Sequence, residues 1–185
     1  RTALSSCTRA CARALSLFSR ERVRSPRPAL SRARREGRSL SLARAGDGMA
    51  CIHRYYAAWG GTNPGVGVAY SEFPSGPFRD VLGGPVMPGN DPTIFIDPDD
   101  PSVRVLCSNV RPDHSLGNYG PLCGTLANDM VTWEQQPAIM AGFNKTTWRF
   151  FEAPWLHKMD DKYYLSFMME GTDIGYAWSD APMGP

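Results

Sequence analysis

Long apolar runs, cysteine motifs and clusters of histidine are all missing from this sequence, and each absence excludes a class of protein. No apolar stretch approaches the ~18 residues that a membrane-spanning helix needs, so we expect no membrane span. No CxxC pair occurs and no His and Cys residues stand at zinc-binding spacing, so we expect neither a metal site nor a cofactor. The 42% hydrophobic and 11% aromatic content of the 185 residues is typical of a soluble, folded protein.

Acidic residues are scarce in the first 50 positions, where 12 arginines face only Glu21, Glu36 and Asp47. This segment has a net charge of +9, whereas the other 135 residues carry eight basic and 15 acidic side chains, or −7. An Arg- and Ser-rich, acid-poor composition is typical of organelle transit peptides, although a disordered tail or translated non-coding sequence is an open alternative. We predict a disordered or transit-like basic segment over residues 1–48 and a folded domain over residues 49–185. We expect no nucleic-acid surface on the folded part, because the positive charge is confined to the segment before it.

The five cysteines are an odd number, and two of them lie in the basic segment. Cys51, Cys107 and Cys123 remain for the folded part. We interpret these three as small buried hydrophobic residues, and a disulfide between two of them is the alternative.

Short apolar runs separated by Gly, Pro, Asn and Asp fill the chain after residue 50. The runs are HRYYAAW, GVGVAYS, PTIFID, VRVLCSNV, GPLCGTLA, FEAPWLHK, KYYLSFMM and DIGYAWS. They are four to eight residues long and rich in β-branched and aromatic residues, and no helical period is sustained. This pattern predicts an all-β fold.

An internal repeat refines that prediction. Residues 54–56 realign with 162–164, and residues 67–77 realign with 175–185 at the same offset of 108. A weaker copy around Gly124 sets the repeat at about 54 residues, enough for roughly four strands, which is the size of a β-propeller blade. We therefore predict about three four-stranded blades of a larger propeller.

Two carboxylates stand at the starts of the predicted innermost strands. Asp91 precedes a proline and an apolar strand, and Glu152 does so one residue further from its proline. Innermost strands line the channel of a propeller, so these side chains are expected to converge and to serve as an acid and its helper. The alternative is structural, with Asp91 capping a turn and Glu152 solvated at an edge.

These motifs resemble glycoside hydrolase family 43, the five-bladed propeller enzymes that act on arabinose- and xylose-containing polysaccharides. The resemblance rests on FEAPWLHKMDDKYYLSFMMEGTDIGYAWSDAPMGP, with DPTIFID and GVGVAYSEFPSGPF before it, and covers roughly residues 50–185. It implies inverting hydrolysis with Glu152 as the general acid and Asp91 as the residue that modulates the pKa of that acid. It also implies an Asp general base near position 44, which here is Arg44. Either Asp47 takes that role in a shifted register, or the base is missing together with the true start of the first blade.

Three aromatic residues complete the predicted site. Trp155, Trp148 and Phe150 are candidates for stacking on sugar rings, and core packing is the alternative for Trp148 and Phe150. The resemblance further implies a carbohydrate as the partner, a monomer when full length, and an extracellular location, with organelle targeting as the alternative. A non-catalytic carbohydrate-binding propeller or pseudoenzyme is the alternative function, because the base is not identified.

Overall fold

The described residues form eleven β-strands in three antiparallel sheets. The computed structural model describes residues 39–44, 50–58, 65–110, 120–143, 148–171 and 173–184. Sheet 1 contains β1 (Ser39–Arg44), β2 (Ala50–Ala58), β3 (Gly65–Ser71) and β4 (Arg79–Asp80). Sheet 2 contains β5 (Asn90–Ile96), β6 (Arg104–Asn109), β7 (Pro121–Leu126) and β8 (Trp133–Ile139), and sheet 3 contains β9 (Phe150–Met159), β10 (Lys162–Met169) and β11 (Ile174–Ser179).

Each sheet is a meander in which strands that follow one another in the chain lie side by side. All eight predicted strands are present, as β2, β3, β5, β6, β7, β9, β10 and β11. Sheets of three or four strands that pack in sequence are the arrangement of propeller blades. The predicted all-β, partial β-propeller fold is confirmed.

Sheet 2 lies between the other two sheets and packs against each of them. One face meets sheet 1 in a core that we call the 1–2 core, which includes Tyr55, Val68, Leu106, Leu122 and Met130. The opposite face meets sheet 3 in the 2–3 core, which includes Phe95, Val105, Leu156, Leu165 and Phe167. Because each blade buries its apolar side chains against its neighbours, the sheets stabilise one another in sequence.

The repeat that predicted the blades does not hold residue by residue. Tyr55 is paired across its hairpin with Val68, and an offset of 108 would pair Tyr163 with Tyr176. Tyr163 is paired with Ser179 instead, a difference of three residues. The two tyrosines consequently lie on different faces of their sheets. Tyr55 of sheet 1 faces the following sheet and donates to the Met130 carbonyl of sheet 2, whereas Tyr163 of sheet 3 faces the preceding sheet and donates to Asp97 of sheet 2.

The first sheet begins before the predicted domain boundary. Strand β1 lies within the segment 1–48 that the sequence analysis placed outside the propeller, and it pairs with β2 from Ser39↔Tyr55 to Arg44↔Ala50. The predicted disorder of residues 1–38 concerns positions outside the described residues. In the part of the chain that the structure does describe, no helix is both long and apolar enough to cross a membrane.

Two of the cysteines of the folded part form a disulfide. Cys107 in β6 and Cys123 in β7 are directly opposite across the ladder, and their Cα atoms are 4.1 Å apart. Both are fully buried in the 2–3 core. The disulfide alternative is therefore the correct one for this pair, and its location on adjacent strands is a consequence of the register.

His53 in β2 is buried, and neither of its ring nitrogens has a hydrogen-bond partner among the described residues. Burial lowers the pKa of His53 from 6.5 to about 4, against a weaker opposing effect of the Asp129 carboxylate. Since the unfolded chain takes up the proton first, the free energy of unfolding should fall by up to about 3 kcal/mol as the pH drops from 6.5 to 4.

We expect His53→Leu to remove this part of the acid sensitivity. Denaturant melts at pH 7 and pH 4.5 would measure it, with the difference between the two pH values compared in both proteins. An equal loss of stability in the variant and the original chain would contradict the assignment to His53.

Candidate active site

The innermost strands of sheets 2 and 3 lie next to each other and run in the same direction. β5 contacts β9, and Asp97 directly after β5 contacts Lys158 near the end of β9. Asp97 follows Asp91 by six residues, and Lys158 follows Glu152 by six residues. Because the ends of the two strands meet, Asp91 and Glu152 also lie at one common end of the adjacent sheets.

A β-bulge occurs at Asp91. Asn90 is paired with Asn109 and Thr93 with Cys107, so β5 has one more residue than β6 over this interval. Asp91 has a φ of 47°, in the left-handed region that Asp tolerates better than most residues. The following Pro92 cannot donate to the ladder, and a bulge is where a strand accepts proline. The sequence Asp-Pro thus produces a local bend that re-aims the carboxylate.

A second bulge occurs one residue after Glu152. Glu152 is paired with Met168 and Trp155 with Ser166, so β9 also carries one extra residue. Ala153 is the residue with positive φ, at 53°. Residues three apart lie on opposite faces of a regular strand, and the bulge places Glu152 and Trp155 on the same face.

Relative to the bulge at the start of each innermost strand, the positions of the two carboxylates therefore differ by one residue. Asp91 is itself the residue with positive φ, whereas Glu152 precedes the corresponding Ala153. Asp91 lies 12 residues before Val103 and Glu152 lies 11 residues before Tyr163, so the same offset is visible in the sequence. The backbone conformation therefore differs at the two carboxylates.

The aromatic candidates lie in two different environments. Trp148 and Phe150 pack against the 2–3 core, where both rings lie near Phe143 and Phe167. The Trp148 indole N–H donates to the Gly142 carbonyl at 3.0 Å. Trp155 is 55% exposed on the face of sheet 3 that points away from sheet 2. The geometry favours packing for the first two, and stacking on a sugar stays a prediction for all three.

The general base is not identified in the described residues. Asp47 lies outside them, so its role stays a prediction. Position 44 was predicted from the repeat, but Arg44 ends β1 and pairs with Ala50. Asp91 and Glu152 instead stand at the starts of β5 and β9, so residue 44 is at the wrong end of its strand for the base.

A cluster at the opposite end of the inner strands was missed as a functional feature. Its members, which we call the Asp97 cluster, are Asp97, Asp99, Lys158 and Tyr163. The Lys158 ammonium lies 3.1 Å from Oδ1 of Asp97 and 2.8 Å from Oδ2 of Asp99, and the Tyr163 hydroxyl donates to Oδ2 of Asp97. The signal in the sequence was that Asp97 follows Asp91 and Lys158 follows Glu152 by the same six residues.

Electrostatics keep this cluster ionised. Burial alone would raise the pKa of Asp97, but hydrogen bonds from Tyr163, the Asp99 backbone N–H and Lys158 hold it below its usual range. Hydrogen bonds to Asp99 and Asp97 raise the pKa of Lys158. Among the described residues, no group of three or more His, Cys, Asp or Glu side chains could hold a metal ion.

These sheets and strand starts define the class of the protein, a partial β-propeller with two carboxylates at one end of adjacent innermost strands. The family model of glycosyl hydrolases family 43 matches residues 27–185. The chain belongs to this family.

Individual relatives agree with the family match. A xylosidase/arabinosidase of Bacteroides ovatus is 27% identical over 150 residues, which cover 65% of this chain and 46% of that protein. The structure of an α-L-arabinofuranosidase from Clostridium thermocellum is 29% identical with a TM-score of 0.57, covering 78% of this chain and 47% of the other. That of an arabinoxylan arabinofuranohydrolase from Bacillus subtilis, in complex with cellotetraose, is 26% identical with a TM-score of 0.62, covering 80% and 34%. The chain spans less than half the length of each of these three proteins.

Proposed function

We propose that this chain is part of an inverting glycosidase that cleaves arabinofuranosyl or xylosyl linkages in plant-type polysaccharides. The observation that carries the proposal is the common location of Asp91 and Glu152, each at a bulged start of an innermost strand. Bulges are frequent next to active sites because they re-aim a side chain. The names of the relatives, a xylosidase/arabinosidase and an α-L-arabinofuranosidase, support this substrate class.

In this mechanism the protonated Glu152 donates its proton to the oxygen of the leaving sugar. Asp91 has the role that the resemblance to the family implies, the modulation of this acid. A base roughly 6.5–9.5 Å from the acid would activate water on the opposite face of the sugar ring, so that the anomeric centre inverts. Asp47 is the candidate for that base from the sequence.

A carbohydrate-binding propeller without catalysis is the second candidate. It is favoured by one observation, that the general base is not identified among the described residues. Binding without hydrolysis would distinguish it from the enzyme.

The experiment that tests the proposal is hydrolysis of aryl arabinofuranosides, aryl xylosides and arabinoxylan by the protein expressed from its complete reading frame. Proton NMR of the first product formed should show the anomer opposite to that of the substrate. Retention of configuration would refute the inverting mechanism. Binding of arabinoxylan oligosaccharides with no hydrolysis would favour the second candidate.

Asp91→Asn is expected to shift the alkaline limb of the pH–rate profile to lower pH by about one unit or more, because the acid loses the neighbouring negative charge that favours its protonated form. The profile of kcat/KM against pH measures this shift. Asp100→Asn is the control, since Asp100 is exposed in the turn after β5, at the opposite end of the strand. An unchanged limb in Asp91→Asn, or an equal shift in Asp100→Asn, would contradict the assigned role.

A further inference from the structure

The Asp97 cluster connects sheet 2 to sheet 3 through charged groups. Asp97 belongs to sheet 2 and its side chain is 1% exposed, while Lys158 and Tyr163 belong to sheet 3. Oδ1 of Asp97 also accepts the backbone N–H groups of Asp99 and Asp100 at 2.9 and 3.4 Å. The Asp97 carboxylate is thus held in place by its own turn and presented to Lys158 of the next blade.

This contact differs in kind from the packing beside it. The apolar 2–3 core is non-directional, so on its own it tolerates small displacements of one sheet along the other. Hydrogen bonds to charged groups are short and require a defined geometry. A buried ion pair contributes little net stability over an apolar pair of the same size, but it can select one register.

We propose that the Asp97–Lys158 pair positions Glu152 against Asp91 by fixing β9 in register with β5. This inference rests on the proposed glycosidase function. The pair stands six residues beyond each carboxylate on its own strand, a distance of about 20 Å along an extended chain. A displacement of β9 at the pair is carried along the strand to Glu152. Asp97 and Lys158 are positioning residues, since neither lies at the end of the sheets where Asp91 and Glu152 meet.

The test uses a variant that removes both charges, Asp97→Asn together with Lys158→Met. It leaves the net charge unchanged and no buried ion unpaired, so it separates positioning from simple destabilisation. The control is Lys162→Met, which removes the ion pair of Lys162 with Asp180 on the same sheet, within one hairpin and not between blades. Lys158→Arg is the conservative variant that keeps the charge.

Two readouts are measured on folded protein from the complete reading frame. The first is kcat and KM on an aryl arabinofuranoside or xyloside, where a misplacement of about 1 Å costs up to about 10²-fold in rate. The second is the ¹³C NMR signal of the Glu152 carboxyl, identified by its loss in Glu152→Gln. The double variant removes one charge of each sign about 20 Å from Glu152, so a moved signal reports geometry and not a change of net charge.

We expect the double variant to lose about 10- to 10²-fold in kcat with little change in KM, and to move the Glu152 signal. Lys162→Met should leave both readouts unchanged. Lys158→Arg, which keeps the charge, should retain most of the original kcat. A folded double variant with original kcat and an unmoved signal would overturn the inference, as would equal losses in Lys162→Met.

If the double variant does not fold, Asp97→Asn alone takes its place, because the amide keeps the shape of the side chain and Lys158 stays paired with the exposed Asp99. It should show changes of the same kind, and original kcat with an unmoved Glu152 signal in it would overturn the inference. If the unaltered protein hydrolyses no glycoside, the proposed function fails, and the Glu152 signal alone decides whether the pair positions this carboxylate.

Discussion

Replacing Glu152 with glutamine is expected to lower kcat by about 10²–10⁴ on a natural arabinoside or xyloside. Glutamine keeps the shape of the side chain but cannot donate a proton to the leaving sugar. On an activated aryl glycoside, whose leaving group scarcely needs protonation, the loss should be much smaller. The ratio of the two losses is therefore the informative quantity.

The measurement compares kcat for both substrates in the original protein and in Glu152→Gln, at the pH optimum of the original. Glu170→Gln is a matched control, because Glu170 lies on the same sheet in the turn after β10. Equal losses on both substrates would mean that Glu152 is not the acid. Unchanged activity would return Glu152 to the purely structural alternative.

Phe167→Ala is expected to destabilise the chain by about 3–5 kcal/mol. Phe167 is 2% exposed in the 2–3 core, and its ring lies within 5.4–6.2 Å of the rings of Phe143, Trp148 and Phe150. Removing it leaves a cavity among these aromatic side chains. The loss should appear in urea unfolding as a lower midpoint with a similar slope.

Phe73→Ala is the control for this measurement, since Phe73 is 61% exposed in the loop after β3. Its effect should be within about 0.5 kcal/mol. A loss at Phe167 no larger than the loss at Phe73 would mean that sheets 2 and 3 do not pack as described.

The strands and the blade repeat could be predicted because apolar runs and turn residues alternate over a short distance. Two of the three strands that were missed are of a different composition. β8 reads WEQQPAI, and four of its seven residues are exposed. β4 has only two residues, both exposed. Outer strands of this kind bury little apolar surface, so the periodicity on which the prediction depends is absent from them.

The register could not be predicted from the repeat because the hairpins differ in length. Six residues lie between the last paired residues of β2 and β3, Ala58 and Gly65, whereas five lie between those of β10 and β11, Met168 and Ile174. A similar sequence therefore falls at a different point of each hairpin, and a shift by an odd number of residues exchanges the faces of a strand. This is why Tyr55 and Tyr163, which align in sequence, contact sheet 2 from opposite sides.

Asp91 and Glu152 could be singled out for a local reason, since an acidic residue shortly before a proline at a strand start is visible in the sequence. The bulges themselves were not predicted, because their recognition requires the pairing partner on the next strand. The Asp97 cluster could not be predicted for the same reason, because its cation, Lys158, is 61 residues away along the chain.

The outward face of sheet 3 has a practical consequence for the behaviour of this polypeptide in solution. Ile174, Tyr176 and Trp178 on that face are 82%, 65% and 60% exposed, and within the described residues β11 pairs only with β10. Apolar side chains beside an open strand edge are a template for association between copies. A preparation of residues 39–184 alone should thus bind hydrophobic dyes and form larger species as its concentration rises, and lysine substitutions at Ile174 and Tyr176 should suppress both.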